Sequence, residues 1–180
     1  MTEDGILEDR DALDAILDQW RHERPDLDLE SMAVLARITQ LAALVNASVE
    51  RLLSQHGLQG GEFDVLTALR RSGDPFTLTP SELSRMVMMS RAGMTNRLDK
   101  LEASGLVQRT LDPIDRRSFR VALTARGREV IDRVLPAHAA NLSRLMADLG
   151  DEARNALDGH LRVLLRSASA SADAASRRLH

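Results

Sequence analysis

The region 79–124 constrains the fold of this chain more than any other part of its sequence. It opens with Thr79-Pro80-Ser81-Glu82, which combines an N-cap, a proline at the first helical position and the acidic residue that completes a capping box. Ser90 is suited to cap a second helix. The inward face of that helix recurs at helical spacing: Met94, Leu98 and Leu101. The pattern predicts two helices, over about 80–86 and 91–104, joined by a short turn.

A hairpin is predicted directly after these helices. The runs 106–111 and 118–123 are strand-like. The second run alternates apolar with more polar positions, the apolar ones being Phe119, Val121 and Leu123. Asp112-Pro113 favours a turn between the runs, and Arg116 and Arg117 lie at the far end of that loop. Two helices and a turn, followed by a hairpin with a basic tip, make a winged helix-turn-helix.

Helical periodicity continues on both sides of this region. Five further helices are predicted, over about 6–23, 29–56, 61–71, 125–148 and 151–166. The helix 29–56 would be about 40 Å long at 1.5 Å per residue, which exceeds what the core of a small domain requires. We therefore expect part of its apolar stripe to meet a partner chain.

The charge of the chain is distributed unevenly. Between Arg85 and Arg128 there are ten basic and four acidic residues, a local balance of +6, whereas the whole chain carries −3. A basic middle in an acidic body indicates a module that faces a polyanion. An ordinary solvated face is the alternative that charge alone leaves open.

Composition excludes several classes of function. The chain has no cysteine, which excludes disulfides, cysteine-ligated metals and thiol catalysis. Its five histidines show no metal-ligand spacing, and no nucleotide-binding, zinc-protease or nucleophile-elbow motif is present. No run of 18 apolar residues occurs, and the N-terminus lacks an apolar signal core. We therefore expect a cytoplasmic protein that is not an enzyme, uses no cofactor or metal, and does not span a membrane.

A winged helix-turn-helix typically binds double-stranded DNA, so DNA is the polyanion that we expect this region to contact. The start of the second helix would present Arg91, Thr95 and Asn96 to base edges or phosphates in a major groove. Arg116 or Arg117 would enter a neighbouring minor groove. The candidate DNA-binding residues are Thr79, Ser81, Ser90, Arg91, Thr95, Asn96, Arg97, Arg109, Arg116 and Arg117. Each of them taken alone is also compatible with an ordinary surface side chain.

These motifs, in this order, resemble the MarR family of bacterial transcription regulators. The matching segments are 78–83, 90–102, 105–107, 115–117 and 123–124, and the resemblance extends over about 29–166. It implies a fold that is mainly α with a small β hairpin. It also implies a triangular homodimer built on N- and C-terminal helices, a pseudo-palindromic operator, and repression relieved by a small ligand.

The resemblance also suggests how the chain is organised. The whole chain, 1–180, is expected to be a single MarR-like unit. Within it, 1–56 and 125–166 would supply the dimerisation helices, and 61–124 would form the DNA-binding lobe. The Ser- and Ala-rich tail, 167–180, is expected to fray.

An additional N-terminal helix makes the chain similar to a urate-responsive subgroup of the family. The resemblance assigns ligand binding and signal relay to four positions: Trp20, Asp64, Arg97 and Arg109. Their chemistry suits a planar anion, since indole stacks, guanidinium pairs with negative charge and a carboxylate accepts ring N–H bonds. Simpler roles remain open, including a Trp20 that packs in a core or dimer interface and an Asp64 favoured by the helix dipole.

Two alternatives to urate remain open at this point. The same cationic pocket suits a polycarboxylate such as aconitate or citrate, or an aromatic acid. The chain would alternatively be an architectural DNA-binding protein that ignores ligands, which predicts sequence-tolerant binding with a steep dependence on salt.

Overall fold

The computed structural model describes residues 10–87, 90–112 and 118–178. Its helices are α1 (Ala12–Glu23), α2 (Leu29–Gln55), α3 (Gly60–Arg71), α4 (Pro80–Met86), α5 (Arg91–Ala103), α6 (Ala125–Leu145) and α7 (Asp151–Arg178). Its strands are β1 (Thr77–Leu78), β2 (Val107–Leu111) and β3 (Phe119–Leu123). The mainly helical fold with a small hairpin is therefore confirmed, with most boundaries within three residues of the prediction.

The sheet has one strand more than the sequence pattern predicted. Its order is β1-β3-β2 and both pairings are antiparallel, with Thr77 opposite Ala122 and Arg109 opposite Val121. β1 is two residues long, too short to show alternation, and it becomes a strand only because β3 lies beside it. It ties the segment before α4 to the hairpin.

The lobe between α3 and α6 has a continuous core, to which Leu53 of α2 and Ile131 and Val134 of α6 also contribute. Its completely buried side chains come from several elements and include Leu66, Leu69, Leu83, Met94, Leu98, Leu101 and Val121. The start of α6 closes this core, where a Cβ on Gly127 would lie 1.9 Å from the Leu106 carbonyl oxygen. Only glycine allows this helix to approach the Leu106 backbone, just before β2, so closely.

Helix α1 packs on α2 of its own chain. Asp11 caps α1 by accepting from the Leu13 and Asp14 amides, and it also pairs with Arg37 of α2 at 2.7 Å. Arg37 pairs with Asp14 as well, at 2.8 Å, and its hydrogen bond lowers the pKa of Asp11. Leu17 of α1 is also buried. The additional helix is therefore attached by contacts within one chain.

The described chain divides into two compact units, one ending at Leu135 and the other beginning at Pro136. The second unit consists of the end of α6 and all of α7. Helix α7 continues to Arg178, so the prediction of a frayed tail over 167–180 is wrong for 167–178. Alanine and arginine are strong helix formers, and the many alanines in this tail extend the helix without a stop signal.

Apolar side chains remain exposed on the two longest helices. On α2 they include Val34, Leu35, Leu41 and Leu44, and on α7 they are Val163, Leu164 and Leu165. Within the described residues, α2 is also the one helix long and apolar enough to cross a membrane by length and composition. A helix that packs against a second chain has the same composition, so this is weak support for a membrane span.

Candidate nucleic-acid interface

The first helix of the helix-turn-helix is fixed at its N-terminus as the sequence predicted. Glu82 Nα–H donates to the Thr79 hydroxyl at 3.3 Å, and the Thr79 backbone N–H donates to Glu82 Oε2 at 2.7 Å. The Thr79 hydroxyl also donates to Glu82 Oε2, at 2.9 Å. These bonds from the Thr79 amide and hydroxyl lower the pKa of Glu82. Thr79 therefore acts as the N-cap of α4.

The second helix, α5, turns one face inward and one outward. Met94, Leu98 and Leu101 are each 1% exposed, so α5 is anchored along its length. Thr95 and Asn96 are exposed on the opposite side, and Ser90 caps the helix by accepting from the Gly93 amide at 3.2 Å. The side chain of Arg91, at the first position of α5, lies outside the described residues.

A groove lined partly by hydroxyl groups lies between α4, α5 and the wing strand β3. It has a volume of about 180 Å³ and is lined by Pro80, Ser81, Ser84, Met94, Thr95 and Phe119. Ser81 and Thr95 were predicted as DNA contacts, whereas Ser84 was not. Ser84 follows Ser81 by three residues on α4, and this helical spacing was the available signal.

The base of the wing is held by an ion pair that the sequence analysis missed. Arg120 Nε donates to Asp112 Oδ2 at 2.7 Å, and Asp112 is 6% exposed. The Asp112 amide also donates to the Ser118 carbonyl at 3.0 Å. The loop tip between them, 113–117, lies outside the described residues, and the predicted contacts Arg116 and Arg117 lie there.

Arg109 lies within the lobe. Its Nη2 donates to Asp99 Oδ1 at 2.5 Å, its Nε lies 3.5 Å from Glu102 Oε2, and its guanidinium lies 5.2 Å from the centre of the Phe119 ring. The side chain is 23% exposed. Arg109 thus connects α5 to the sheet, a structural role that its charge alone did not indicate.

Arg97 points back from α5 toward the start of α3. Its Nη1 donates to Gln59 Oε1 at 2.6 Å. A Cβ on Gly61 would lie 2.6 Å from Arg97 Nε, so the glycine leaves room for the guanidinium. This places Arg97 at the connection between α2 and α3, with its side chain half-buried.

Comparison with known proteins identifies the family. Residues 56–118 match a family model described as MarR family. The HTH-type transcriptional regulator PecS of Dickeya dadantii (strain 3937) is 36% identical over 150 residues, which cover 83% of this chain and 88% of PecS. This chain belongs to the MarR family. It is therefore a transcriptional regulator of the MarR type, and the prediction that it is not an enzyme is confirmed.

Solved structures of MarR regulators share the fold. A MarR family transcriptional regulator from Streptomyces coelicolor in complex with DNA superposes with a TM-score of 0.72 at 24% identity, covering 78% of this chain and 89% of that one. The organohalide-sensing regulator RdhR, in its 2,4-dichlorophenol-bound form, gives 0.69 at 22% identity, covering 79% and 83%. The winged helix-turn-helix assignment is confirmed by these likenesses.

The four predicted ligand residues of this MarR regulator have different neighbours. Arg97 bonds to Gln59, and Arg109 bonds to Asp99. Trp20 is 43% exposed on α1. Asp64 lines a cavity of about 260 Å³ whose other lining residues are Thr67, Arg71, Met86 and Val87. The structure therefore does not gather the four into one pocket, and their joint role stays a prediction.

The described part of the chain contains no cluster of side chains that could hold a metal ion. Among the residues 10–87, 90–112 and 118–178, no three His, Asp or Glu side chains come together as metal ligands do.

Proposed function

We propose that this regulator is a homodimeric repressor that binds a pseudo-palindromic operator in the cytoplasm and leaves it when a small anion binds. Urate or a related purine is the first candidate for that anion. The observation that carries the DNA part is the two-sided character of α5. Its apolar side is 1% exposed at Met94, Leu98 and Leu101, and its polar side offers Thr95 and Asn96 to base edges.

The homodimer is supported by the exposed apolar residues of the two long helices. Leu44 is 61% exposed on α2, and Leu165 is 67% exposed on α7. Water-exposed apolar area of this kind is unfavourable by about 25 cal/mol per Å², so a second copy that covered it would stabilise both helices. Two copies would also present two α5 helices to the two halves of a palindromic site.

The effector proposal rests on the side-chain chemistry of the four predicted residues and on a solved structure that shares the fold. The four predicted residues combine a stacking face, two guanidinium groups and a carboxylate, which suit a planar anion that carries N–H groups. The RdhR structure was determined with 2,4-dichlorophenol bound, which supports ligand binding by this fold. A polycarboxylate such as aconitate or citrate, and an aromatic acid such as salicylate, are the competing ligand classes.

The test is a gel shift on the DNA beside the protein's own gene, with urate, xanthine, aconitate and salicylate added in turn. Release by urate or xanthine, but not by the other two, would support the purine effector. Trp20 is the only tryptophan, so a fluorescence titration reports ligand binding in parallel. Tight operator binding that no compound alters would contradict the effector proposal. Sequence-tolerant binding with a steep salt slope would instead indicate an architectural protein.

A further inference from the structure

We propose that Lys100, in the last turn of α5, is an acylation site, and that transfer of an acetyl group to its side-chain nitrogen weakens DNA binding. The donor is an activated acetyl compound, either an acyl phosphate or a thioester. This inference rests on the part of the proposed function that places α5 against DNA. It does not depend on the effector.

Lysine occurs only once in this chain. Of the 24 Lys and Arg residues, 23 are arginine. A guanidinium keeps its proton and its charge, so arginine does not attack acyl donors, whereas a lysine amine that has lost its proton is a nucleophile. Apart from the amino group at the N-terminus, Lys100 is therefore the only amine of the sequence that an acyl donor can modify.

The Lys100 side chain is exposed and has no partner within the described ranges, where it makes neither an ion pair nor a hydrogen bond. The two carboxylates nearest to it along α5 are both engaged by Arg109. Asp99 Oδ1 accepts from Arg109 Nη2 at 2.5 Å, and Glu102 Oε2 lies 3.5 Å from Arg109 Nε. No ion pair therefore has to be broken before the Lys100 amine reacts.

An open groove gives an acyl donor access to this side chain. The groove has a volume of about 560 Å³, and its lining includes Lys100, Ser54 at the end of α2, Glu62 near the start of α3 and Ser104 just after α5. This volume lies within the roughly 300–1,000 Å³ that small-molecule sites have. An acyl phosphate, or the acetyl end of a thioester, fits such a space.

Lys100 also lies beside the residues that α5 is expected to offer to DNA. It follows Asn96 by four positions, and side chains four apart are neighbours on a helix surface. Both side chains are exposed, away from the buried face formed by Met94, Leu98 and Leu101. A lysine one turn beyond a base-contacting residue is placed to meet a phosphate, which would be its first ionic partner.

The reaction balances without an oxidant or a reductant. The Lys100 ammonium first gives one proton to the solvent. Its Nζ then forms a bond to the acetyl carbonyl carbon, the bond between that carbon and the phosphate oxygen breaks, and the leaving phosphate takes the second proton from the nitrogen. With a thioester the C–S bond breaks instead, and the thiolate takes that proton. The product is a neutral amide, which no longer attracts a phosphate.

The experiment treats the full-length protein with acetyl phosphate in one arm and with acetyl coenzyme A in a second. Peptide mass spectrometry then separates Lys100 from the N-terminus. Lys100→Gln imitates the neutral product. The matched control is Lys100→Arg, which keeps the charge and cannot be acetylated. Gel shifts over a range of salt concentrations, on the DNA beside the protein's own gene, measure the affinity of each protein before and after treatment.

We expect acetyl phosphate, acetyl coenzyme A or both to modify Lys100. Acetylated wild type and Lys100→Gln should bind the operator about 3- to 10-fold more weakly than the unmodified wild type, with a salt slope lower by about 2 for a dimer, since each chain loses one phosphate contact. Treatment should leave the affinity of Lys100→Arg unchanged. Bound operator should slow acetylation of Lys100 about fivefold or more, because a phosphate would cover the amine.

The outcomes separate this inference from the proposal beneath it. If the unmodified wild type binds no DNA, the proposed function is wrong and the inference fails with it. If the wild type binds the operator but neither donor modifies Lys100, only the acylation site is overturned. Acetylated protein that binds as tightly as before, or acetylation that the operator does not slow, would overturn the link to DNA. Should Lys100→Gln fold poorly, the acetylated wild type still decides the question.

Discussion

The winged lobe and the long helices differ in where they bury their apolar residues. In the lobe, Leu66, Leu69 and Leu98 are at most 1% exposed within a single chain. On α2 and α7, Leu44 and Leu165 are more than half exposed in that same chain. The lobe therefore carries the packing that it needs, whereas the long helices carry apolar surface for which a single chain supplies no cover. The apolar residues of the lobe are thus covered within one chain, whereas those of the long helices would be covered only in the proposed dimer.

The largest effect should come from placing a charge on the long helix. Leu44→Asp would put a carboxylate on the exposed apolar stripe of α2, and burying it in a dimer interface would cost several kcal/mol. We expect sedimentation to show loss of the dimer and, with it, loss of tight operator binding. The matched control for the sedimentation readout is Leu111→Asp, which charges another exposed leucine, 74% exposed on the wing strand β2, and should leave the dimer intact. If Leu44→Asp remains dimeric, the comparison between the lobe and the long helices is wrong.

The next effect tests the lobe core. Leu69→Ala removes a completely buried side chain from α3 and should lower the free energy of unfolding by about 2–5 kcal/mol. Urea denaturation measures this. Leu111→Ala provides the contrast, because the same deletion at a position of β2 that is 74% exposed, outside the proposed dimer helices, should leave the unfolding of the lobe nearly unchanged. Equal losses in the two variants would remove the distinction.

A smaller effect is expected at the base of the wing. Asp112→Asn breaks the pair with Arg120 and should destabilise the protein by about 1–3 kcal/mol, since Asp112 is nearly buried. Operator affinity should fall more than stability predicts, because Arg120 no longer pairs with residue 112 at the base of the wing. The control is Asp158→Asn, which breaks an exposed pair with Arg162 on α7. A variant that binds operator normally would show that the wing needs no such anchor.

The smallest effects concern the cap of α4. Thr79→Ala should destabilise the lobe by about 1 kcal/mol, which urea denaturation would measure.

The pKa of Glu82 is lowered in the folded state by the bonds from Thr79, so the contribution of Glu82 to stability is complete above its pKa in the unfolded chain. That contribution is lost as the pH falls through the folded pKa. Glu82→Gln should therefore flatten the acid side of the stability profile, measured by thermal melts between about pH 3 and 7. An unchanged acid limb would contradict this cap geometry.

The helix boundaries could be predicted because their causes are local. Thr79 and Ser90 cap helices, Gly105 adopts a φ of +68° after one, and each does so through atoms within a few residues. The buried face of α5 could be predicted in the same way, from the spacing of three apolar residues. Local chemistry also revealed the order of the elements, which was enough to predict the family.

The partners of the charged residues could not be predicted, because they come from distant parts of the chain. Arg97 meets Gln59, 38 positions earlier, and Arg109 meets Asp99 and the Phe119 ring only after the hairpin has paired with its neighbours. Strand β1 likewise depends on β3, which comes more than forty residues later. Sequence identified the types of group that this regulator carries, and tertiary structure decided which of them stay exposed on α5, which line a cavity and which hold the lobe together. The physical reason is that a charge takes its partner from whatever the fold brings near, whereas a cap or an apolar period takes it from its own segment.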